Sequence, residues 1–448
     1  MALQSGRRLL GLKFVRRIIA QENEIAMFST TGPTNAKSCK VLVVGGGTGG
    51  ISTAARFVKK VGKGNVIIIE PTDTHYYQAM WTLVGGGAKK FTDTSKPMKS
   101  VIPSGCNWIQ DKAVKFDPEN NTVTTEGGET VNYEYLIIGM GLQLNFENVK
   151  GLVDALKTDP NVVSNYSPNT VNKTFPALQN LKNGEAIFTF PSTPIKCAGA
   201  PQKIMYLADD YLRKNGRRDN VHINFNTALG VIFGVPKYAE RLRELVSKRN
   251  ITVNYTHNLT AIDADKKEAV FEILGNDKKE TKSFKYDFIH VTPPMSAPDV
   301  LRNSNRLVDS TGFLDVNKET LQHVKYKNIF GIGDCTNIPT SKTAAAIAAQ
   351  NGVLYKNLSL VMEGGNVSSK YDGYTSCPLV TSYERCILAE FGFDGKVMET
   401  FPVDQGKERR SMLLLKKHVM PTIYWEAMLR GYWNGPGVFR KLMHFGKS

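Results

Sequence analysis

Short apolar runs alternate with helical patterns from residue 39 onward. Residues 39–44 are apolar except at Lys40, which predicts a buried strand, and residues 51–57 have the spacing of a helix. Further apolar strands are predicted at residues 65–69, 133–138, 184–190, 221–226 and 328–332. Strands that alternate with helices predict an α/β fold with doubly wound sheets.

A glycine-rich turn joins the first predicted strand to the first predicted helix. Its glycines have the spacing of a dinucleotide fingerprint. In that motif the first glycine allows a tight turn, the second lets the backbone approach a pyrophosphate, and the third lets the helix pack on the strand. The candidate cofactor-binding residues of the turn are Gly45, Gly47, Thr48, Gly49 and Gly50.

The second predicted strand ends in a carboxylate. Glu70 lies 20 residues after Gly50, where an acid is expected to accept the ribose hydroxyls of a dinucleotide. The alternative is a glycine-rich turn that binds no ligand. These residues do not by themselves separate FAD from NAD.

Two later segments resemble motifs of the flavin disulfide-reductase superfamily. Residues 133–141 form a strand that closes on glycines, and residues 328–335 form a strand that ends in Gly-Asp. The resemblance implies a glutathione-reductase-like fold with two Rossmann-like domains, and FAD as the cofactor. It implies that Asp334 holds the ribityl chain and that Lys342 and Thr343 open a helix beneath the flavin. The dipole of that helix could stabilise anionic charge on the reduced ring.

Relatives also touch the adenine through the backbone of a strand, and Ala113 resembles that position. A plain sheet strand is an equal alternative at Ala113.

The second Rossmann-like domain is predicted to be inserted into the FAD domain. It lacks the second glycine motif that NAD(P)H-dependent members of this superfamily carry. The equivalent strand is residues 184–190, and Pro191 and Pro194 follow it. Prolines stand where a phosphate-binding loop needs free N–H groups. We therefore expect no nicotinamide nucleotide here, and note that this loop carries Cys197 instead.

Segments around two cysteines closely resemble the mitochondrial sulfide:quinone oxidoreductase family. They are residues 194–203 around Cys197 and 371–381 around Cys377, and the likeness extends to Gln78 and the aromatic C-terminus. The resemblance implies that Cys197 and Cys377 form an active-site disulfide. Hydrogen sulfide would leave a persulfide on Cys377, while Cys197 delivers electrons to the flavin. The sulfane sulfur would pass to glutathione, sulfite or cyanide, and the electrons to ubiquinone.

Cations near a cysteine raise its thiolate fraction, and Lys196 and Lys203 could do so here. The alternative for each lysine is a solvated surface position. Without the resemblance, two inert buried thiols would be the simpler interpretation of the cysteine pair. Cys335, and also Cys39 and Cys386, are expected in the core, and the cysteine spacing predicts no metal site.

The chain of 448 residues has a net charge of +16 without a block of cations or a nucleic-acid motif. We therefore favour a membrane surface over nucleic acid as its partner. Residues 1–36 are basic and amphipathic, which predicts a mitochondrial transit peptide; a basic surface arm is the alternative. No apolar run reaches the roughly 18 residues of a transmembrane helix.

The C-terminal residues 412–445 interleave short apolar runs with Lys, Arg, Trp and Tyr. That composition favours an amphipathic tail on the matrix side of the inner membrane, with a quinone pocket opening toward the bilayer. The alternative is a packing element in the core or in a homodimer.

The predicted domains are residues 1–36, a discontinuous FAD domain at 40–148 and 300–352, a second Rossmann-like domain at 149–299, and a C-terminal region at 353–448. Two rival functions remain, a type II NADH:quinone dehydrogenase and a flavoprotein that signals by binding partners. NADH oxidation would indicate the first, and bound FAD that sulfide cannot bleach the second.

Overall fold

The computed structural model describes residues 37–275 and 279–446. The predicted transit peptide at residues 1–36 lies outside the described residues. No helix within the described ranges is long and apolar enough to cross a membrane.

The first sheet has the predicted buried strand β1 at its centre. Its order is β5-β2-β1-β8-β7-β6, and β19 also pairs with β8. β1 is flanked by β2 and β8 in parallel register, and β6, β7 and β8 pair antiparallel. The strands of this sheet are β1 Lys37–Val44, β2 Val66–Ile69, β5 Cys106–Ile109, β6 Ala113–Asp117, β7 Thr122–Thr125, β8 Thr130–Ile138 and β19 Ile329–Gly331.

The second sheet is parallel in the order β10-β17-β11-β12-β13. An antiparallel three-stranded sheet, β14-β15-β16, packs beside it over a separate apolar core. These strands are β10 Val162–Val163, β11 Gly184–Phe190, β12 Val221–Thr227, β13 Ile251–Asn254, β14 His257–Asp263, β15 Glu268–Ile273, β16 Glu280–Lys285 and β17 Phe288–His290.

Three two-stranded pairs complete the strands of the described residues. The largest is a fully buried hairpin, β20–β21, which carries Cys377 in its first strand. The pairs are β3 Thr74–Tyr76 with β4 Ser95–Pro97, β9 Gln143–Leu144 with β18 Met295–Ser296, and β20 Thr375–Val380 with β21 Cys386–Phe391.

Helices cover both sheets and form the C-terminal segment, where two π-helical turns at Leu415–Val419 and Tyr424–Met428 interrupt the α-helices. The α-helices are α1 Thr48–Val61, α2 Trp81–Gly85, α3 Met98–Val101, α4 Leu152–Thr158, α5 Val171–Asn180, α6 Ala200–Lys214, α7 Pro236–Lys248, α8 Asp299–Arg302, α9 Ala344–Met362, α10 Arg410–Leu414, α11 Met420–Ile423 and α12 Gly437–Met443.

The α/β fold class is confirmed. Two predicted domain boundaries fall inside helices, since α8 spans residue 300 and α9 continues past residue 352. α9 continues because Leu354 and Leu358 extend its buried face, a tertiary contact that composition does not mark. The division into domains otherwise stays a prediction.

Candidate functional site

A cavity of about 790 Å³ lies between the first sheet, the loop after β11, the β20–β21 hairpin and the C-terminal helices. Its wall includes most of the residues predicted from the sequence: Gly45, Gly47, Thr48, Gly49, Glu70, Gln78, Cys197, Asp334, Lys342 and Thr343. Gly50, Ala113 and Cys377 are not part of the wall. Ala113 is buried in β6, so the structure does not bring it to the other candidates.

The glycine turn has no room for side chains at two positions. A Cβ on Gly50 would lie 1.8 Å from the Gly45 carbonyl oxygen, and Gly45 itself has a φ of +105°. Gly47 has open space in place of a side chain. Gly50 therefore packs the helix against the strand, while Gly47 leaves the backbone open to a phosphate.

Glu70 is held rigidly at the end of β2. One carboxylate oxygen accepts the Gly46 N–H at 2.6 Å, and the other accepts the Thr72 N–H at 2.9 Å and the Thr72 hydroxyl at 2.6 Å. A carboxylate oxygen can accept more than one hydrogen bond. Glu70 can therefore orient the turn and still accept ribose hydroxyls.

Asp334 follows β19 after Gly333, whose φ is +78°. Burial raises the pKa of the Asp334 carboxyl, while Lys342 and Lys196 oppose that rise. Thr343 caps α9 by accepting the Ala346 N–H at 3.1 Å. The helix predicted to open at Lys342 and Thr343 is thus confirmed, and its first residues, Ala344 and Ala345, line the cavity.

The two candidate redox cysteines meet although they are 180 residues apart in the chain. The sulfur atoms of Cys197 and Cys377 are 3.3 Å apart. The Cys197 N–H donates to the Lys342 carbonyl at 2.8 Å, and Cys197 has a φ of +53°, which is unusual for a residue other than glycine. A Cβ on Gly199 would lie 2.5 Å from the Cys377 sulfur, so that glycine leaves room for the pair.

The charges around the pair favour a thiolate on Cys197. The hydrogen bond from Cys377 and the nearby Lys203 ammonium hold the pKa of the Cys197 thiol well below its usual value, although burial opposes this. Lys203 lies 3.1 Å from the Cys197 sulfur and is only 4% exposed. The same hydrogen bond, together with burial, raises the pKa of Cys377.

Besides Lys203 and Lys342, the cavity wall includes Lys196 and Lys416. Lys196 donates to the Gln78 side-chain oxygen at 3.0 Å and faces Asp334 rather than the sulfur pair. Lys416, on the first π-helical turn, donates to the Ala79 carbonyl at 2.9 Å. Burial and the positive charge of Lys203 lower the pKa of Lys416 to about 8. The sequence marked Lys416 only as one cation of the tail.

Comparison with known proteins identifies the family. A mouse mitochondrial sulfide:quinone oxidoreductase is 53% identical over 100% of this chain and 98% of its own length, and one from Dictyostelium discoideum is 49% identical over 88% and 87%. The chain belongs to the sulfide:quinone oxidoreductase family. Residues 39–174 also match the pyridine nucleotide-disulphide oxidoreductase family.

The crystal structure of a sulfide:quinone oxidoreductase from Aquifex aeolicus has the same fold. It superposes with a TM-score of 0.73 at 22% identity, and the match covers 92% of this chain and 95% of that one. As a member of the sulfide:quinone oxidoreductase family, the protein is an FAD-dependent oxidoreductase. The glycine turn, Glu70 and the helix N-terminus at Thr343 fit that cofactor.

The other four cysteines take no part in the hydrogen bond between Cys197 and Cys377. Cys39, Cys335 and Cys386 lie in the core as predicted. Asp159 lies in the turn after α4, where its carboxylate accepts the Asn161 N–H at 3.0 Å; it is buried, pairs with Lys267 and accepts the Tyr286 hydroxyl at 2.9 Å.

A tyrosine of the C-terminal segment is hydrogen-bonded to the glycine turn, an interaction that the sequence did not reveal. The Tyr424 oxygen lies 2.7 Å from His75 Nε2 and 2.9 Å from the Thr48 hydroxyl, and His75 Nδ1 lies 3.0 Å from the Gly46 carbonyl. Burial lowers the pKa of His75 to about 4, so the ring is neutral. A carbonyl only accepts, so Nδ1 carries the proton, Tyr424 donates to Nε2, and Thr48 donates to Tyr424.

This assignment changes the predicted role of Thr48. Its hydroxyl proton is already given to Tyr424, so Thr48 can donate to a phosphate only through its backbone N–H. Tyr424 and His75 are positioning residues, since they fix both ends of the turn from Gly46 to Thr48. No local pattern marks Tyr424, because its partners lie more than 340 residues away.

Replacing Tyr424 by phenylalanine is expected to weaken FAD binding about tenfold, because the Thr48 hydroxyl and His75 Nε2 lose their partner. The ring stays stacked on Tyr77, at 3.9 Å between centroids, so the fold is expected to persist. Fluorescence titration of the apoprotein with FAD measures the change. Tyr432→Phe is the control, since Tyr432 is 68% exposed in the same segment. Equal FAD affinity in Tyr424→Phe and the native protein would contradict the positioning role.

Proposed function

We propose that this mitochondrial protein oxidises hydrogen sulfide at the Cys197–Cys377 pair and passes the electrons through FAD to ubiquinone. The observation that carries the proposal is the convergence of the two sulfur atoms, 3.3 Å apart, beside the cavity that fits FAD. The family relationship supports the same substrates, since the relatives at 49% and 53% identity are named for sulfide and quinone.

The charges indicate which sulfur receives the substrate. In the oxidised protein the two cysteines form a disulfide, and a sulfide nucleophile attacks one sulfur while the other leaves. The better leaving group is the thiol of lower pKa. That thiol is Cys197, so hydrosulfide bonds to Cys377, the S–S bond breaks, and Cys197 leaves as a thiolate stabilised by Lys203.

The persulfide on Cys377 then gives its outer sulfur to a nucleophilic acceptor, glutathione or sulfite. This leaves Cys377 reduced, and re-forming the Cys197–Cys377 bond releases two electrons to FAD. FAD, when bound, supplies the redox step that carries this pair on to the quinone. The cycle consumes one hydrogen sulfide and releases one sulfane sulfur, two electrons and two protons.

The loop after β11 argues against the rival NADH dehydrogenase. It carries Pro191 and Pro194 and holds Cys197 at the cavity wall. Anaerobic stopped-flow mixing tests the proposal: sulfide is expected to bleach the flavin, and a soluble ubiquinone analogue to restore it. Bleaching by NADH but not by sulfide would favour the rival instead.

The C-terminal helices support a membrane contact. Five apolar side chains of residues 438–445 are exposed by 42% to 93%: Val438, Phe439, Leu442, Met443 and Phe445. Phe439 and Met443 also line the cavity, so the apolar face and the cavity mouth adjoin. Lys441 lies exposed among them and favours anionic lipid. We infer that quinone enters from a bilayer on the matrix side.

Replacing both Leu442 and Phe445 by glutamate is expected to lower binding to cardiolipin-containing vesicles at least about tenfold, because full burial of each apolar side chain contributes about 1.5–3 kcal/mol. Flotation of the protein with vesicles measures this. Val324→Glu is the control, at a side chain 61% exposed outside the C-terminal segment. Unchanged flotation of the double variant would show that this face is not the membrane contact.

A further inference from the structure

Three neighbouring strands of the second sheet end at the cavity beside Cys197. The order β10-β17-β11 places their carboxyl ends side by side. Asn165 and Tyr166 follow β10, His290 ends β17, and the loop with Cys197 follows β11. Ligands of open α/β sheets bind outside the carboxyl ends of the strands. Asn165, Tyr166 and His290 all line the same cavity as Cys197.

These three side chains carry polar atoms with no hydrogen-bond partner among the described residues. The atoms are Asn165 Nδ2, the Tyr166 hydroxyl and His290 Nδ1, in residues that are 7%, 6% and 0% exposed. Leaving a buried polar group unpaired is costly, so such a cluster calls for a ligand or water. Thr292 follows β17 at the same edge, and its hydroxyl is the side-chain neighbour of the Tyr166 hydroxyl.

All three groups are donors. His290 Nε2 accepts the Asn165 backbone N–H at 3.1 Å, and burial lowers the pKa of the ring to about 3. The ring is therefore neutral with its one proton on Nδ1. The Asn165 side-chain oxygen already accepts the Thr174 hydroxyl at 2.7 Å, which fixes its NH₂ as the unpaired group.

Tyr166 remains protonated and lies near the sulfur pair. Burial raises the pKa of its hydroxyl, and the negative charge of Cys197 raises that pKa further. The Lys203 ammonium, 3.1 Å from the Cys197 sulfur, adds positive charge at the same wall of the cavity. A group of donors next to a buried ammonium favours an anion over a cation or a neutral acceptor.

We propose that Asn165, Tyr166 and His290 form a binding subsite for the small sulfur anion that attacks the cysteine pair. The subsite holds hydrosulfide as it approaches the disulfide, or an anionic acceptor such as sulfite as it approaches the persulfide on Cys377. Both are nucleophiles of one negative charge or more that must reach the same two sulfur atoms. This inference rests on the proposed function.

Two variants test the subsite while keeping side chains of nearly the same size in place. Tyr166→Phe removes one donor and keeps the ring. Asn165→Asp keeps the oxygen that accepts from Thr174 and replaces the donor with a carboxylate oxygen. The matched control is Tyr286→Phe, since Tyr286 is a buried tyrosine of the separate core beneath β14–β16.

The measurement is the rate of flavin reduction against sulfide concentration, and the rate of thiosulfate formation against sulfite concentration. Tyr166→Phe is expected to raise the half-saturating concentration of the bound anion about tenfold, and Asn165→Asp at least as much. Reoxidation of the dithionite-reduced flavin by a soluble quinone analogue is expected to be unchanged. A general loss of structure would slow this reoxidation as well, so it serves as the control for folding.

A shift in the sulfide curve alone assigns the subsite to the substrate, a shift in the sulfite curve alone to the acceptor, and shifts in both to a shared subsite. If the sulfide and sulfite curves of both variants stay within twofold of the native curves, the proposal is wrong, and the unpaired donors hydrogen-bond to water instead. A native protein that sulfide cannot reduce would instead overturn the proposed function itself.

Discussion

Replacing Cys377 by serine is expected to abolish flavin reduction by sulfide, with a loss of at least about a thousandfold, while FAD stays bound. A hydroxyl can form neither the disulfide that sulfide attacks nor the persulfide that follows. Cys197→Ser is expected to have the same effect, because each sulfur acts only with the other. Stopped-flow absorbance at the flavin band measures the loss, and the spectrum of the resting variant shows that FAD remains.

Cys386→Ser is the matched control for this pair of variants. Cys386 is buried on β21, the partner strand of the hairpin that carries Cys377, and its thiol donates to the Ile387 carbonyl. Its replacement is expected to leave flavin reduction near the native rate. Native turnover by Cys377→Ser would show that sulfide reaches the flavin by another route.

Replacing Lys203 by methionine is expected to slow the reaction with sulfide about tenfold to a hundredfold near neutral pH. In the native protein the hydrogen bond from Cys377 and the Lys203 ammonium lower the pKa of Cys197, which makes Cys197 a better leaving group. Without that charge the pKa of Cys197 rises. Hydrosulfide forms equally for both proteins as the pH increases, so the ratio of the native rate to the variant rate is expected to narrow, because only the variant then gains Cys197 thiolate.

The pH dependence of Cys197 alkylation by iodoacetamide in the reduced protein reports the pKa directly, with mass spectrometry to identify the modified cysteine. Lys214→Met is the control, since Lys214 lies on the same helix, α6, and pairs with Asp210 and Glu384 instead. If the alkylation profile of Lys203→Met matches the native one, the charge of Lys203 does not set the reactivity of Cys197.

Part of the site could be predicted because its chemistry is local in the sequence. The strand, glycine turn and helix at residues 39–57 need only neighbouring residues to form, and Gly50 packs on Gly45 as the motif requires. Thr343 likewise caps its own helix. The closing strands at residues 133–138 and 329–331 follow from their own apolar patterns.

Other parts could not be predicted because their partners lie far along the chain. Burial and Lys203 lower the pKa of Lys416 only once the C-terminal segment folds over the cavity. The hydrogen bond from Thr48 of the glycine turn to Tyr424 depends on the same folding. Asn165 and His290 have no motif, and their unpaired donors exist only because β10, β17 and β11 end together. Ala113 shows the converse, since its strand formed as predicted but does not reach the cavity.

The sequence by itself determined the fold class and the dinucleotide turn, because strand periodicity and turn chemistry act between near neighbours. The family resemblance, not a local pattern, indicated which cysteines to examine. Only the tertiary structure decided that the surrounding charges favour a thiolate on Cys197, that the Thr48 hydroxyl donates to Tyr424, and that three buried donors line the same cavity as Cys197. Charge stabilisation and burial depend on distances across the molecule, and those distances are fixed when the sheets, the hairpin and the C-terminal helices close on one cavity.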